Sequence, residues 1–185
     1  MLIIKDQGKE KKLSSDDILV SKTDISGRIT YGNETFLKVA GYTKEELIGQ
    51  PHNIIRHPDM PKAIFQLMWE SIKKGKNITA VVKNLTKDGK FYWVTTDFDI
   101  QRGSNGQIRN YIAFREATPR KVIKEVEKIY AILLDIEKKK GDRQSMEFLN
   151  IFLEDKQMTY NEYIQDLARP KGIGQKLLHN MKSFC

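Results

Sequence analysis

Apolar and polar positions change their period several times along this chain, and each change predicts an element. Ile18 to Thr23 has the pattern of a short strand. Asp24-Ile25-Ser26-Gly27-Arg28 reads as a hairpin turn, because Asp, Ser and Gly supply the turn conformations, and Ile29-Thr30-Tyr31 returns as a second strand. Asn33 opens a helix over Glu34 to Ala40, which Gly41 stops. Thr43-Lys44-Glu45-Glu46 is a capping box and starts a second short helix that Gly49 ends. From Met60 to Lys74, Ile64, Leu67, Met68 and Ile72 form one apolar stripe at helical spacing, with Phe65 and Trp69 beside it. Gly75 closes that helix after the basic turn of Lys73 and Lys74, which suits the helix dipole.

Three strand patterns follow. Ile78 to Thr86 is rich in β-branched residues, and Lys87-Asp88-Gly89-Lys90 makes a hairpin turn. Along Phe91 to Gln101, the residues Phe91, Trp93, Thr95, Asp97 and Asp99 share one face, and Tyr92, Val94, Thr96, Phe98 and Ile100 share the other. Gly103 to Gly106 is a second turn, and Gln107 to Ala117 is the third strand. Two strands, several short helices and three antiparallel strands predict an α+β fold, with helices crossing one face of a five-stranded antiparallel sheet.

A different regime begins at Thr118-Pro119. Val122, Val126, Ile129, Leu133 and Ile136 recur at alternating spacings of four and three, a heptad seam on a helix over about residues 119–140. Left in water, such a stripe forgoes roughly 1.5–3 kcal/mol per aliphatic side chain. It must therefore fold back on its own sheet, pair with a second copy or dock on a partner, and the spacing favours helix pairing. Short helices follow: one around Met146 to Leu153, one opened by the capping box Thr159 to Glu162, then a break at 170–174 and a last turn or two at 177–181. Residues 1–17 are weakly patterned and predict a flexible or loosely docked arm. The predicted organisation is an arm (1–17), a single domain (18–117) and a helical extension (118–185).

The candidate chemistry is concentrated between the helices, in Gly49 to Pro61. Three prolines forbid a helix there, and the connector carries His52, Asn53, Arg56, His57 and Asp59. An arginine beside a histidine suits a phosphate, a carboxylate or an oxidised ring system. The same residues also suit a polar loop whose Asp59 caps the next helix, and His52 suits stabilisation of the turn.

Composition narrows the classes. The chain has 185 residues, a net charge of +8 and one cysteine, Cys185. The basic excess is spread along the chain, which argues against a nucleic-acid binder. A single cysteine excludes an intramolecular disulfide, a cysteine metal cluster and an internal thiol for a flavin adduct. No apolar run approaches the roughly 20 residues of a membrane span, and the start does not resemble a signal peptide. We expect a cytoplasmic protein whose membrane association is indirect, through a partner. No nucleophile–base pair, phosphate loop or metal spacing is present, so an enzyme is not expected.

These residues carry a resemblance. Asp24-x-x-Gly-x-Ile-x-Tyr-x-Asn33 and Gly41-Tyr-Thr-x-x-Glu-Leu-x-Gly-x-Pro51 are laid out as in PAS sensor domains. Gln50-Pro-His-Asn53, Arg56-His-Pro-Asp-Met-Pro-Lys62, Met68-Trp69, Val82-Lys-Asn84 and Tyr92-Trp-Val94 resemble the PAS domain of bacterial aerotaxis (energy-taxis) receptors. The resemblance covers roughly residues 18–117. It implies a PAS fold, non-covalent FAD, and a redox or energy-state sensor. By position, it implies cofactor contacts from Asn33, Arg56, His57, Asp59, Trp69 and Asn84. Those receptors continue into a membrane anchor and a long helical hairpin that this sequence lacks. The resemblance therefore implies a stand-alone sensor, a homodimer, that signals to a methyl-accepting chemotaxis receptor-type partner. A haem-binding gas-sensing PAS domain and a cofactor-free PAS dimerisation module are the alternative readings.

Overall fold

The computed structural model of the chain describes residues 4–169. The break at 170–174, the last turns at 177–181 and Cys185 lie outside the described residues. In chain order the elements are β1 (Leu19–Asp24), β2 (Ile29–Gly32), α1 (Glu34–Ala40), α2 (Lys44–Leu47), a single 3₁₀ turn (His52–Ile55), α3 (Lys62–Lys73), β3 (Ile78–Leu85), β4 (Phe91–Arg102), β5 (Ile108–Ala117), α4 (Arg120–Lys140), α5 (Asp142–Asp155) and α6 (Tyr160–Ala168). The strands form one antiparallel sheet in the order β2-β1-β5-β4-β3.

Local chemistry sets the boundaries. Asn33 Oδ1 accepts from the Phe36 N–H to cap α1, and Gly41 ends that helix at φ 78°, where a side chain would be strained. Thr43 and Glu46 complete both halves of their capping box. α3 begins at Lys62 rather than at Met60. Met60 precedes Pro61, and the residue before a proline is pushed out of the helical region.

The sheet is covered on both sides. Tyr92, Val94 and Thr96 face α1 to α3 and are buried, as the two-residue pleat requires. On the opposite face, Trp93 packs against Tyr130 of α4 with ring centroids 6.3 Å apart. The heptad seam lies here. Val122, Val126, Ile129 and Leu133 are buried within the chain, and Ile136 is half-buried. This corrects the preference for helix pairing between chains: α4 spends its stripe on its own sheet and on α5 and α6.

The same helices blunt the outer edge of β3. Along that edge the Thr79 N–H donates to Asn161 Oδ1 at 2.9 Å, and the Val81 carbonyl accepts from the Tyr130 hydroxyl at 2.6 Å. The Lys83 N–H meets Met60 Sδ at 3.2 Å. An open edge strand invites another chain to pair with it, and three partners here remove that invitation.

The described part of the arm is docked, not loose. Gln7 N–H donates to the Gly89 carbonyl, Lys11 N–H to the Phe91 carbonyl, and Phe91 N–H to the Lys9 carbonyl, at 2.7–2.9 Å. Lys11 Nζ also donates to the Lys38 and Val39 carbonyls at the end of α1. Sequence pattern missed this contact because it is made by backbone, which any residue can supply.

Candidate functional site

Between the sheet's inner face, α3 and the proline-rich connector lies a cavity of about 480 Å³. That is within the roughly 300–1,000 Å³ of typical ligand sites. Strand pleat and helix periodicity together build its walls. Val82 and Asn84 of β3, Thr96 and Phe98 of β4, and Tyr111, Ala113 and Arg115 of β5 point in from the sheet. Phe65, Met68, Trp69 and Ile72 point in from α3, and His52, Asn53 and Arg56 from the connector.

The connector is held rigidly. Ile29 N–H donates to the Gln50 carbonyl, Gly49 N–H to the Ile29 carbonyl and His52 N–H to the Gly27 carbonyl, at 2.8–3.0 Å. Arg56 forms an isolated antiparallel bridge with Asn84, so the connector's far end is also paired to β3. Gly27, at φ 84°, lets the first turn lie directly on Trp69: an added Cβ would come 2.8 Å from that ring. Trp69 in turn stands edge-on to Tyr111, with centroids 5.9 Å apart.

The floor is polar and charged. Arg115 Nη1 donates to Ser21 Oγ at 2.9 Å, and Nη2 donates to His52 Nε2 at 3.0 Å. Ser21 Oγ also lies 3.0 Å from His52 Nε2. Among the described residues no carboxylate pairs with Arg115, although its side chain is buried. Burial pulls its guanidinium down to about 10, and burial together with the Arg115 charge pulls His52 down to about 3. His52 is therefore neutral at physiological pH while Arg115 is charged. Nearby, Asn84 Nδ2 and Thr96 Oγ1 are buried without a hydrogen-bond partner in the described residues. Buried polar groups left unpaired are costly and rare; Tyr42, Tyr92 and Trp93 carry such atoms too, and those of Asn84 and Thr96 belong to residues that line the cavity.

The six residues singled out from sequence divide evenly. Arg56, Trp69 and Asn84 line the cavity together. Arg56 stacks on Phe65 with its guanidinium carbon 3.9 Å from the ring centre, and donates to the Met60 carbonyl at 3.2 Å. Asn33, His57 and Asp59 are not brought to it. Asn33 spends its side chain on the Phe36 and Val20 N–H groups and the Ile18 carbonyl. His57 is fully buried, with Nε2 at 3.1 Å from Asp6 Oδ2 and Nδ1 accepting from the Asp59 N–H at 3.0 Å. Asp59 pairs with Lys83 at 3.0 Å. These three stitch the cap, the connector and the arm to the sheet. Burial and the Lys83 charge depress the His57 pKa, so its bond to Asp6 is that of a neutral imidazole donating to a carboxylate. Asp6, His57 and Asp59 form an acidic and histidine cluster whose candidate ligand atoms lie within 4.8 Å of one another, with Asp6 against Nε2 and Asp59 against Nδ1 of the His57 ring.

Sequence pattern does not single out Arg115 or Ser21, and it favours a turn-stabilising role for His52 over a ligand contact. The signal for Arg115 was available: Tyr111, Ala113 and Arg115 alternate on β5, which places an arginine at an inward position.

Sheet order, connecting helices and the cavity between them define a PAS-fold domain carrying a helical extension. Residues 29–115 match the PAS fold family. The domain is similar to the corresponding region of the aerotaxis receptor of Escherichia coli (strain K12), 44% identical over 121 residues, which are 65% of this chain and 24% of that receptor. Among solved structures it resembles the PAS domain of a protein from Colwellia psychrerythraea, 25% identical, with a TM-score of 0.51 over 55% of this chain and 86% of that one. It also resembles the dark structure of the blue-light photoreceptor Aureochrome1 LOV, 21% identical, with a TM-score of 0.54 over 66% and 88%. The chain spans about a quarter of the length of the curated receptor it matches. Among the described residues no helix is long and apolar enough to cross a membrane.

Proposed function

We propose that this chain is a redox or energy-state sensor that holds FAD non-covalently in the PAS cavity and signals to a chemotaxis receptor-type partner. The observation that carries the reading is the cavity floor: a buried Arg115 with no carboxylate partner among the described residues, beside neutral His52, with Asn84 Nδ2 and the Thr96 hydroxyl close by. An isoalloxazine ring has two apolar faces and one polar edge with alternating donors and acceptors. The apolar side chains Met68, Trp69, Ile72 and Val82 suit the faces. Asn84, with a donor and an acceptor on one side chain, suits the edge. Arg115 suits whichever part of the ligand carries negative charge. When bound, the flavin would supply reversible electron uptake. The protein's part is to orient the ring, keep water from it and hold a fixed positive charge against it.

The relative's name supplies the taxis context, and Arg56, Trp69 and Asn84 are the site residues retained from the sequence. Asn33, His57 and Asp59 enter the proposal only as supports of the walls. The partner is proposed to be a methyl-accepting chemotaxis receptor-type protein, reached from a cytoplasmic location. The first test is an absorption spectrum of the purified protein. The expected result is a pair of flavin bands, with free FAD released by acid or heat. A haem band, or a colourless protein that takes up no flavin on reconstitution, overturns the reading.

A further inference from the structure

The corner between α4 and α5 reaches across to the cavity mouth, and it does so with carboxylates. Lys62, on the rim at the start of α3, donates to both oxygens of Asp142 at 3.1 and 3.0 Å. One residue into α3, the Ala63 N–H donates to Glu137 Oε1 at 3.0 Å. Beside Glu137 lies the buried Ser145 hydroxyl, whose one proton is shared between Glu137 Oε1 at 3.3 Å and the Leu133 carbonyl at 3.1 Å. α3 has no side-chain cap of its own, because Pro61 stands at its N-cap position, so Glu137 supplies the cap from another element. Arg56 lies on the same rim, where Glu137 and Asp142 partly offset the burial that lowers its guanidinium pKa.

Two cations and a helix N-terminus thus lie at the cavity rim, and the extension's own acids meet them. The contacts differ in permanence. Glu137 is half-buried and held by two donors, the Ala63 N–H and the Ser145 hydroxyl. The Lys62–Asp142 pair is exposed, with side chains 62% and 50% accessible, so it contributes little and exchanges readily.

We propose that Lys62, with Arg56, is a phosphate subsite at the cavity mouth and that Asp142 is its internal competitor. A flavin nucleotide's phosphate displaces the Asp142 carboxylate from Lys62, so occupancy of the cavity is read out as loosening of the α4–α5 corner. This rests on the flavin reading for its ligand and adds two things: discrimination of nucleotides from riboflavin, and a route from the cavity to the extension. It does not pass through the sheet. Chemically the exchange is one anion for another on the Lys62 ammonium: FMN's monoester brings close to two negative charges, and FAD's pyrophosphate one on each of two phosphates.

The test uses the full chain and four probes: riboflavin, FMN, FAD and inorganic pyrophosphate. Lys62→Gln is expected to weaken FMN and FAD by about two- to fivefold while leaving riboflavin unchanged. Asp142→Asn is expected to strengthen the two nucleotides over riboflavin by a similar factor. In the wild type, FAD and pyrophosphate, but not riboflavin, should speed hydrogen exchange in residues 137–146. An unchanged nucleotide-to-riboflavin ratio in both variants, or exchange in 137–146 that responds to none of the four probes, overturns the subsite. If pyrophosphate acts and no flavin binds, the subsite stands and the flavin reading falls.

Discussion

His52 Nε2 accepts a hydrogen bond from Arg115 Nη2 at 3.0 Å, and this one contact fixes the chemistry of the cavity floor. A guanidinium has no acceptor, so the imidazole nitrogen facing it must carry the lone pair. His52 is then the Nδ1–H tautomer. The remaining acceptor demand at Ser21 is met by Arg115 Nη1, and the Ser21 hydroxyl is free to donate toward the same His52 nitrogen. The three groups form a closed set in which protonating His52 would set two cations against each other.

Acid should therefore destabilise the ligand-free protein early. The His52 pKa falls from 6.5 to about 3 on folding. Between those values the unfolded chain binds the proton and the native state does not, so stability rises with pH across that window and is lost as pH falls below about 6.5. From pH 7.5 to 4.5 the loss from this residue is about 2–3 kcal/mol. His52→Gln keeps an acceptor for Arg115 and cannot titrate. Urea melts at the two pH values should show a smaller difference for that variant; equal differences would mean that His52 is protonated without penalty.

His57 should hold the arm rather than the ligand. Its ring joins Asp6 of the arm to the Asp59 backbone, and it packs edge-on against Phe91 with centroids 5.8 Å apart. His57→Ala removes two hydrogen bonds and buried volume, at a cost of about 2–4 kcal/mol. Hydrogen exchange in residues 6–11 should rise to the unprotected rate while reconstituted flavin affinity at saturating protein stability changes little. A protected arm with lost flavin would place His57 at the ligand instead.

The elements that were legible in sequence are those whose signals are local. The Asn33 cap, the Thr43 capping box, Gly41 and the alternation in β4 each depend on residues within a few positions of one another, and each stands where pattern places it. The site was half legible. Arg56, Trp69 and Asn84 line the cavity, but Asn33 and His57 are polar residues whose hydrogen bonds are taken up by backbone and arm, which spacing alone does not reveal. The heptad seam of α4 was read correctly as a stripe needing cover. Its partner was not readable, because a 3.5-residue period marks an apolar face and says nothing about whether a helix or the chain's own Trp93 and Val81 will bury it.

That burial gives a direct expectation for Leu133, which is fully buried on α4. Leu133→Ala should lower stability by about 2–5 kcal/mol, through lost transfer energy and a residual cavity. Because the seam is internal, light scattering should give the same mass for variant and wild type. A variant of unchanged stability but reduced mass would return the seam to an intermolecular role.

Arg115 should be the residue at which stability and ligand binding part company. Its buried charge has hydroxyl, imidazole and carbonyl partners but no carboxylate among the described residues, so it carries a desolvation cost that none of them offsets with opposite charge. Arg115→Met keeps the apolar volume and deletes the charge. The groups left behind are not orphaned, since Ser21 Oγ and His52 Nε2 already lie at 3.0 Å from each other. Replacing buried charge with a hydrophobic side chain is often neutral or stabilising by about 1–4 kcal/mol, so the flavin-free variant should melt at or above the wild-type temperature. Its flavin affinity should fall by at least about 30-fold, roughly 2 kcal/mol, because the ligand's electron-rich edge loses a buried charged donor. Parallel melts and flavin titrations measure both. A variant that is less stable yet still binds flavin at wild-type affinity would show that Arg115 is a structural strut, and the charge on the cavity floor would then have to be explained without a ligand.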